Sequence, residues 1–504
     1  MSARILMFQG TGSDVGKSTL VAGLCRIARQ RGINVAPFKP QNMSNNAAAC
    51  PPGTENGGQS GGEIGRAQAL QARAAGLPLQ VDFNPVLIKP QSDMTAQIVV
   101  HGQVLDTISA RDYMTKQRGT LMQPVLESFH RLASQYDLIL IEGAGSPAEV
   151  NLRERDIANM GFACEVDAPV SLIGDIDRGG VIAAVVGTRS VLSSKDAALI
   201  KSFIINRFRG DPSLFEDGVT AIEKSSGWPC RGVVPWLPAA TRLPQEDAVI
   251  LQHADGSRRN AKDKGSQQQN IKIAVPMLSR IANFDDVDPL RMEANVDLFF
   301  VPPGSSIPLD ADAVIVPGTK STMADMEFIR QQGWHHDIIA LARSGARITG
   351  LCGGYQLLGK HINDPEGYDG PAGRCEGLGL LDIETRMNGD KTTRPVNGTC
   401  TRSGSRVAGY EIHNGQTTGA DTARPMMYLN DTADGATNIK GNVEGTYLHG
   451  LFGNDQFRRW WMNQIDASAV SELNFESMIE RELDSLAEGL IQSLDVDALF
   501  ADAS

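Results

Sequence analysis

Near the N-terminus a short apolar run, Ile5-Leu-Met-Phe8, passes straight into Gly10-Thr-Gly-Ser-Asp-Val-Gly-Lys-Ser18. Beyond it, Leu20, Val21, Leu24, Ile27 and Ala28 recur at helical spacing, and Gly32 suits a helix C-cap. The order strand, glycine-rich loop, Lys-Ser, helix leaves few options. A strand that feeds a helix returns to its sheet by a crossover, so its neighbours are parallel. It is also the context of a phosphate-binding loop. Backbone N–H groups over Gly12, Ser13, Asp14, Val15 and Gly16 are expected to cradle phosphate, Lys17 to reach the terminal phosphates and Ser18 to hold Mg²⁺. The spacing is longer than usual: Thr11 stands five residues before Gly16, and the glycines lie at 10 and 12.

The alternation continues. Asn34-Val-Ala-Pro, Asp137-Leu-Ile-Leu-Ile141, Pro169-Val-Ser-Leu-Ile and Ser202-Phe-Ile-Ile-Asn206 read as buried strands. It stops after Gly232-Val-Val-Pro-Trp-Leu-Pro238, and Ala254 to Asn270 is polar, with a Gln run and no apolar period, as a linker would be. It restarts with Ile271–Val275, Leu298–Val301, Ala313–Val316 and Arg347–Gly350. The fold class expected is α/β, two doubly wound domains with mostly parallel sheets, the first like a P-loop NTPase and the second flavodoxin-like. The boundaries expected are 1–240, a linker over 241–270, a second domain over 271–465, and a partly helical tail over 466–504.

Charge and cysteine usage narrow the function. A net charge of −12 over 504 residues offers no broad basic face to a nucleic acid. No apolar run approaches the roughly 18 residues of a membrane span. Seven scattered cysteines without a CxxC pair argue against a zinc site or a disulfide framework, and the setting expected is a reducing cytoplasm.

One of those cysteines stands apart. Gly350-Leu-Cys-Gly-Gly-Tyr-Gln-Leu-Leu-Gly359 follows the strand at Arg347 and precedes a helical segment, which puts Cys352 on a glycine-flanked elbow. Such a turn presents a nucleophile, and the helix-start amides favour a thiolate and an oxyanion. Taken alone, Cys-Gly-Gly more often describes a buried structural cysteine in a glycine-rich turn; the rest of the chain reverses that preference. A thiolate needs a base, and the chain holds eight histidines. His335 and His336 fall in an exposed helix; His449, in Gly445-Thr-Tyr-Leu-His449, is the favoured base. The turn Val316-Pro-Gly-Thr-Lys-Ser321 follows a core strand and is placed to complete an oxyanion hole. In the first half, Glu142 ends a core strand and is placed to coordinate Mg²⁺. Asp175 and Asp177 end another; either suits metal or substrate, and a solvated loop with local ion pairs suits them equally.

These motifs resemble known families. The elongated phosphate loop and Phe38-Lys-Pro-Gln-Asn42 are similar to the dethiobiotin-synthetase-like branch of P-loop proteins. That likeness implies that Lys39 faces the nucleotide and that Asn206 touches adenine. Gly350-Leu-Cys-Gly-Gly-Tyr-Gln356 with Gly445-Thr-Tyr-Leu-His449 resembles the class I glutamine amidotransferases. The likeness implies that Cys352 attacks the glutamine carboxamide, with Gln356 and Gly318 lining the glutamine pocket. Most members carry a Glu two residues after the His; here that residue is Leu451, as in the cobyrinic-acid branch, which implies a Cys–His dyad. Gly62-Glu-Ile-Gly-Arg-Ala-Gln-Ala-Leu-Gln71, Asp175-Ile-Asp-Arg-Gly-Gly180, Pro317–Thr322 and Gly409-Tyr-Glu-Ile-His413 also look like that branch. Only the linker and the tail from Asp466 lack a counterpart, and Ala49–Ser60 looks longer than usual.

The resemblance implies ATP, Mg²⁺, L-glutamine and a corrinoid. The reaction it implies is amidation of the b, d, e and g carboxylates of adenosylcobyrinic acid a,c-diamide through acyl phosphates, a step of cobalamin biosynthesis. Tyr410, Glu411 and His413 are the candidates for corrin contact. The nearest alternative is the a,c-diamide synthase of the same branch. A P-loop ATPase switch carrying an inactive glutaminase-like domain is the alternative of another class.

Overall fold

The computed structural model describes residues 3–52, 61–91, 95–109, 118–244 and 270–504. The polar segment expected to be a linker lies outside the described residues up to Gln269, as does the Ala49–Ser60 stretch from residue 53 onward. The chain forms two compact units. One comprises Met1–Ser44, Glu63–Pro244 and Ile479–Ser504; the other comprises Asn45–Gly62 and Gln245–Met478.

The first unit is built on β1 (Arg4–Gly10), β2 (Val35–Phe38), β3 (Leu138–Glu142), β4 (Val170–Asp175), β5 (Ile200–Phe208) and β6 (Cys230–Pro235). They form one sheet in the order β6-β5-β4-β1-β3-β2, and every pair is parallel. Their runs of Val, Ile and Leu are buried because crossover helices cover a parallel sheet on both faces. Helix α1 (Lys17–Gln30) starts at the phosphate loop, and α2 (Arg66–Ala75) carries the second half of the Gly62–Gln71 motif. Register sets the ends of the strands level: Phe8 lies opposite Glu142, Phe38 opposite Ile141, and Asp175 opposite Asn206. The phosphate loop, Lys39, Glu142, Asp175 and Asn206 therefore gather at one carboxyl edge, where open α/β sheets bind ligands.

The last residues of the chain complete this unit. Glu480 bonds both Arg26 of α1 and Arg73 of α2, Asp484 accepts from Arg26, and Ser504 exchanges backbone hydrogen bonds with Ile5.

The second unit centres on β7 (Ile271–Pro276), β8 (Val296–Val301), β9 (Ala313–Val316), β10 (Arg347–Leu351), β11 (Ala436–Thr437) and β12 (Val443–Thr446), in the order β8-β7-β9-β10-β12-β11. All pairs are parallel except β11 with β12. Beside it, the long strands Glu384–Cys400 and Arg406–Thr418 pair antiparallel, and the second of these pairs with Leu448–His449. This last pairing sets Tyr410 opposite His449. Two mostly parallel sheets, one opening on a phosphate loop, give the α/β class expected.

Candidate active sites

In the second unit, Cys352 sits between β10 and a five-residue helix, Gly353–Leu357, with φ 51° and ψ −110°. A non-glycine residue holds that conformation only where its surroundings enforce it. They do so here: a Cβ on Gly354 would lie 2.0 Å from the Val316 carbonyl, and one on Gly353 would lie 2.7 Å from Thr319 Cγ2. The glycines let the elbow seat against the turn after β9, and the Cys352 amide donates to the Thr446 carbonyl. Cys352 Sγ itself donates to the Ile412 carbonyl at 3.3 Å.

His449 is 3 % exposed and lies within hydrogen-bonding reach of Cys352. Its Nδ1 is 2.7 Å from Asp286 Oδ2, and Asp286 Oδ1 accepts from the Gly450 amide at 2.7 Å. Asp286 lies on the turn Phe284–Val287, after β7. Asn283, at φ 51°, anchors that turn: its Nδ2 donates to the Tyr410 hydroxyl at 3.0 Å, and its amide donates to Asn46 Oδ1. The Tyr410 ring stacks on His449, with centroids 5.2 Å apart. Burial alone would lower the imidazole pKa. The charges of Asp286 and Cys352 outweigh it and raise the group to about 10. Leu451, two residues after His449, is fully buried and supplies no carboxylate. Thus the acid does not follow the histidine in sequence; it comes from the other end of the unit.

Gln356 is fixed on both sides, accepting from Thr322 Oγ1 at 3.1 Å and donating to the Tyr447 hydroxyl at 3.1 Å. Gly318 pairs with Ala282, and a Cβ there would come within 3.3 Å of His449 Cε1. Buried Asp325 accepts from the amides of Ser279 and Arg280 and from the Thr319 hydroxyl, which pins the turn beside the elbow. The three corrin candidates lie in this same unit, next to the thiol. Tyr410 is on His449, His413 stacks on Tyr447 at 3.8 Å, and Glu411 pairs with Arg394 at 2.7 Å.

In the first unit, Lys17 Nζ donates to the carbonyls of Gly12 (2.9 Å) and Gly145 (3.2 Å), across the phosphate loop. Glu142 is buried at the end of β3. Its Oε1 accepts from Ser18 Oγ at 2.7 Å and Lys39 Nζ at 2.8 Å. Burial would raise its pKa; the Lys39 charge and the hydrogen bonds from Lys39, Ser18 and Gln71 more than offset that and hold it below the usual carboxylate range. Asn206, expected at adenine, donates to the Val15 carbonyl at 2.8 Å and lies where a Cβ on Gly16 would stand, 2.3 Å away. Arg207 bonds the Asp14 carbonyl at 2.6 Å, the Asp14 carboxylate and Asp175. Asp14 also takes Arg178, and Asp177 takes Arg209. The two strand-end aspartates are therefore both ion-paired, Asp175 to an arginine that grips the phosphate loop.

Comparison with known proteins agrees with both halves. Residues 6–250 match the CobQ/CobB/MinD/ParA nucleotide binding domain, and residues 272–457 match the CobB/CobQ-like glutamine amidotransferase domain. A nucleotide-binding unit followed by a glutaminase-type unit defines an amide-forming ligase of the glutamine amidotransferase class. Relatives across nearly the whole chain narrow it further. The cobyric acid synthase of Hyphomonas neptunium is 58 % identical over 501 residues, covering 99 % of this chain and 98 % of that protein. Those of Paracoccus denitrificans and Brucella anthropi are 56 % and 53 % identical, and each match covers at least 98 % of this chain and 99 % of the relative. The chain belongs to the cobyric acid synthase family.

The phosphate loop, the elbow and His449 are visible in the sequence because each motif is local. Asp286 was missed: the residue separation from His449 is 163. One signal was available. Asp285, Asp286 and Asp288 follow the first strand of the second sheet, at its carboxyl end, where sites on such sheets collect. Among the described residues, no helix is long and apolar enough to cross a membrane.

Proposed function

We propose that this enzyme amidates the b, d, e and g carboxylates of adenosylcobyrinic acid a,c-diamide, through acyl phosphates, with ammonia cut from glutamine at Cys352. The observation that carries the reading is Cys352 on a strained elbow beside a His449 held by a buried carboxylate. Asp286 accepts the proton on Nδ1, so Nε2 is the nitrogen that serves the thiol. A cation at His449 favours the thiolate, which attacks the glutamine carboxamide carbon. The tetrahedral oxyanion meets amides of the elbow and of the turn at Gly318, His449 gives the leaving nitrogen a proton, and ammonia departs. Water then cleaves the thioester to glutamate and restores the thiol.

Ammonia does not displace hydroxide from a carboxylate, so the acceptor needs a better leaving group. A corrin carboxylate oxygen attacks the terminal phosphorus of ATP and ADP leaves. Ammonia then attacks the acyl carbon, phosphate leaves and the nitrogen sheds a proton. Lys17 and Lys39 sit as cations over the phosphate loop and the end of β3, where charge develops on the transferred group. Ser18 and Glu142 would hold Mg²⁺. One hydroxyl and one carboxylate suit an ion that keeps several waters and borrows phosphate oxygens, and such an ion neutralises phosphate charge.

Glu142 tests the ATP half. Glu142→Ala should lower amidation driven by ammonium salts on the order of 10²–10³-fold. Labelling of Cys352 by a glutamine-mimicking diazoketone should keep its wild-type rate. Amidation at the wild-type rate would remove Glu142 from the reaction.

A further inference from the structure

Glu142 has more donors than its proposed metal role requires. Besides Ser18 and Lys39 on Oε1, its Oε2 accepts from Gln71 Nε2 at 2.5 Å and faces Gln68 Nε2 at 3.5 Å. Both carboxamides are fully buried and lie three residues apart on α2, on one face of the helix. They are held differently. Gln68 Oε1 accepts from Asn42 Nδ2 at 3.0 Å, so both ends of that carboxamide are engaged. Gln71 Nε2 also donates to the Ser18 carbonyl at 3.2 Å, which ties it to the residue that opens α1. Gln71 Oε1 is buried and has no hydrogen-bond partner among the described residues.

That oxygen cannot be relieved by turning the amide over. Reversal would set a carbonyl oxygen 2.5 Å from a carboxylate oxygen and take the Gln71 donor away from Glu142 Oε2 and the Ser18 carbonyl. A buried acceptor without a donor destabilises the fold. A chain that needed only to brace Glu142 would be served by a side chain without that oxygen. A carbonyl oxygen attached to the same group that bonds Glu142 and Ser18 lies within a few ångströms of both. The donors that come to such a place are waters on a hydrated cation.

We infer that Gln71 is a positioning residue of the metal site: its nitrogen orients Glu142 and the start of α1, and its oxygen accepts from a water carried by the divalent ion. The inference rests on the reading that Ser18 and Glu142 hold Mg²⁺ with a nucleotide. Outer partners of this kind set metal affinity by roughly 10–100-fold. They leave metal-free nucleotide binding alone, because the phosphates meet the loop amides and Lys17.

The test is calorimetric titration of the full-length protein with a non-hydrolysable ATP analogue, at a series of Mg²⁺ concentrations and in chelator. Gln71→Leu removes both ends of the amide; Gln71→Asn keeps the group but shortens its reach. The expected result is a Mg²⁺ midpoint raised about 10–100-fold in Gln71→Leu and by less in Gln71→Asn, with wild-type analogue affinity in chelator. The retained affinity in chelator also reports that the unit is folded. A Mg²⁺ midpoint unchanged in Gln71→Leu overturns the inference and leaves the metal reading standing. Equal loss of affinity with and without Mg²⁺ assigns Gln71 to packing and overturns it as well. Wild-type affinity indifferent to Mg²⁺ overturns the metal reading and the inference together.

Discussion

Cys352→Ala should lose glutamate release by on the order of 10⁴–10⁶-fold, the scale seen when a covalent nucleophile is removed. The same variant should still make amides when ammonium salts replace glutamine, because the proposed acyl phosphate forms at the phosphate loop, Lys39 and Glu142 and does not use the thiol. The contrast is what gives the experiment force. A cysteine that only packed the elbow, at 8 % exposure among Ile, Tyr and Leu side chains, would be replaced by the smaller alanine at modest cost. Glutamate release within about tenfold of wild type would return Cys352 to that structural role. Assay of both nitrogen sources on one preparation distinguishes a lost nucleophile from a misfolded chain.

The second large effect belongs to Asp286. In Asp286→Asn one side-chain oxygen remains, and the Gly450 amide holds it as acceptor. The new NH₂ then faces His449 Nδ1, which must accept. That places the imidazole proton on Nε2, toward the thiol, in the wrong tautomer to take a proton from it. A kcat loss of roughly 10²–10⁴-fold is expected, with KM for glutamine little changed, because Asp286 bonds His449 and Gly450 whereas Gln356, at the proposed glutamine pocket, is held by Thr322 and Tyr447. The pH profile adds a sign. The Asp286 carboxylate is among the causes that raise the His449 pKa to about 10. The imidazolium is therefore present below that pH and lost as pH rises through it. Without the carboxylate the pKa falls, so the alkaline limb of kcat/KM should move to lower pH. A uniform loss at every pH, with the limb in place, would mean that Asp286 acts only through the fold.

What the sequence disclosed and what it withheld follow from how far each feature reaches along the chain. The phosphate loop spans nine consecutive residues from Gly10 to Ser18, and the elbow spans ten from Gly350 to Gly359. Both are written by local backbone demands, glycine where a side chain would collide and an apolar strand before the turn. The core strands were legible because a parallel sheet buries both faces, and continuous apolar runs mark such strands. Asp286 obeys no local pattern. Its meaning depends on the pairing that brings His449 opposite Tyr410 and on Asn283, which holds the turn. The same pairing explains the setting of Tyr410, Glu411 and His413. Tyr410 stacks on His449, His413 stacks on Tyr447, and Ile412 between them accepts from the thiol, so the three corrin candidates fall beside the elbow. Asp175 and Asp177 suit a ligand role and a loop with local ion pairs equally in sequence, and each is engaged by an arginine in the fold.

The C-terminal residues show the same limit. Their helix, Phe475–Ser493, has ordinary amphipathic spacing, and nothing in it announces that Glu480 will sit between Arg26 and Arg73. Long-range ion pairs leave no signature in the sequence around either partner.

In the proposed reaction, two chemistries in one chain are joined by ammonia. Its most direct test is mass spectrometry of the corrinoid product formed from adenosylcobyrinic acid a,c-diamide with ATP, Mg²⁺ and glutamine labelled with ¹⁵N at the amide. Four new amides are expected, each carrying the label, and none when ATP is withheld. Two labelled amides formed on cobyrinic acid itself, with the a,c-diamide left unchanged, would contradict that reaction.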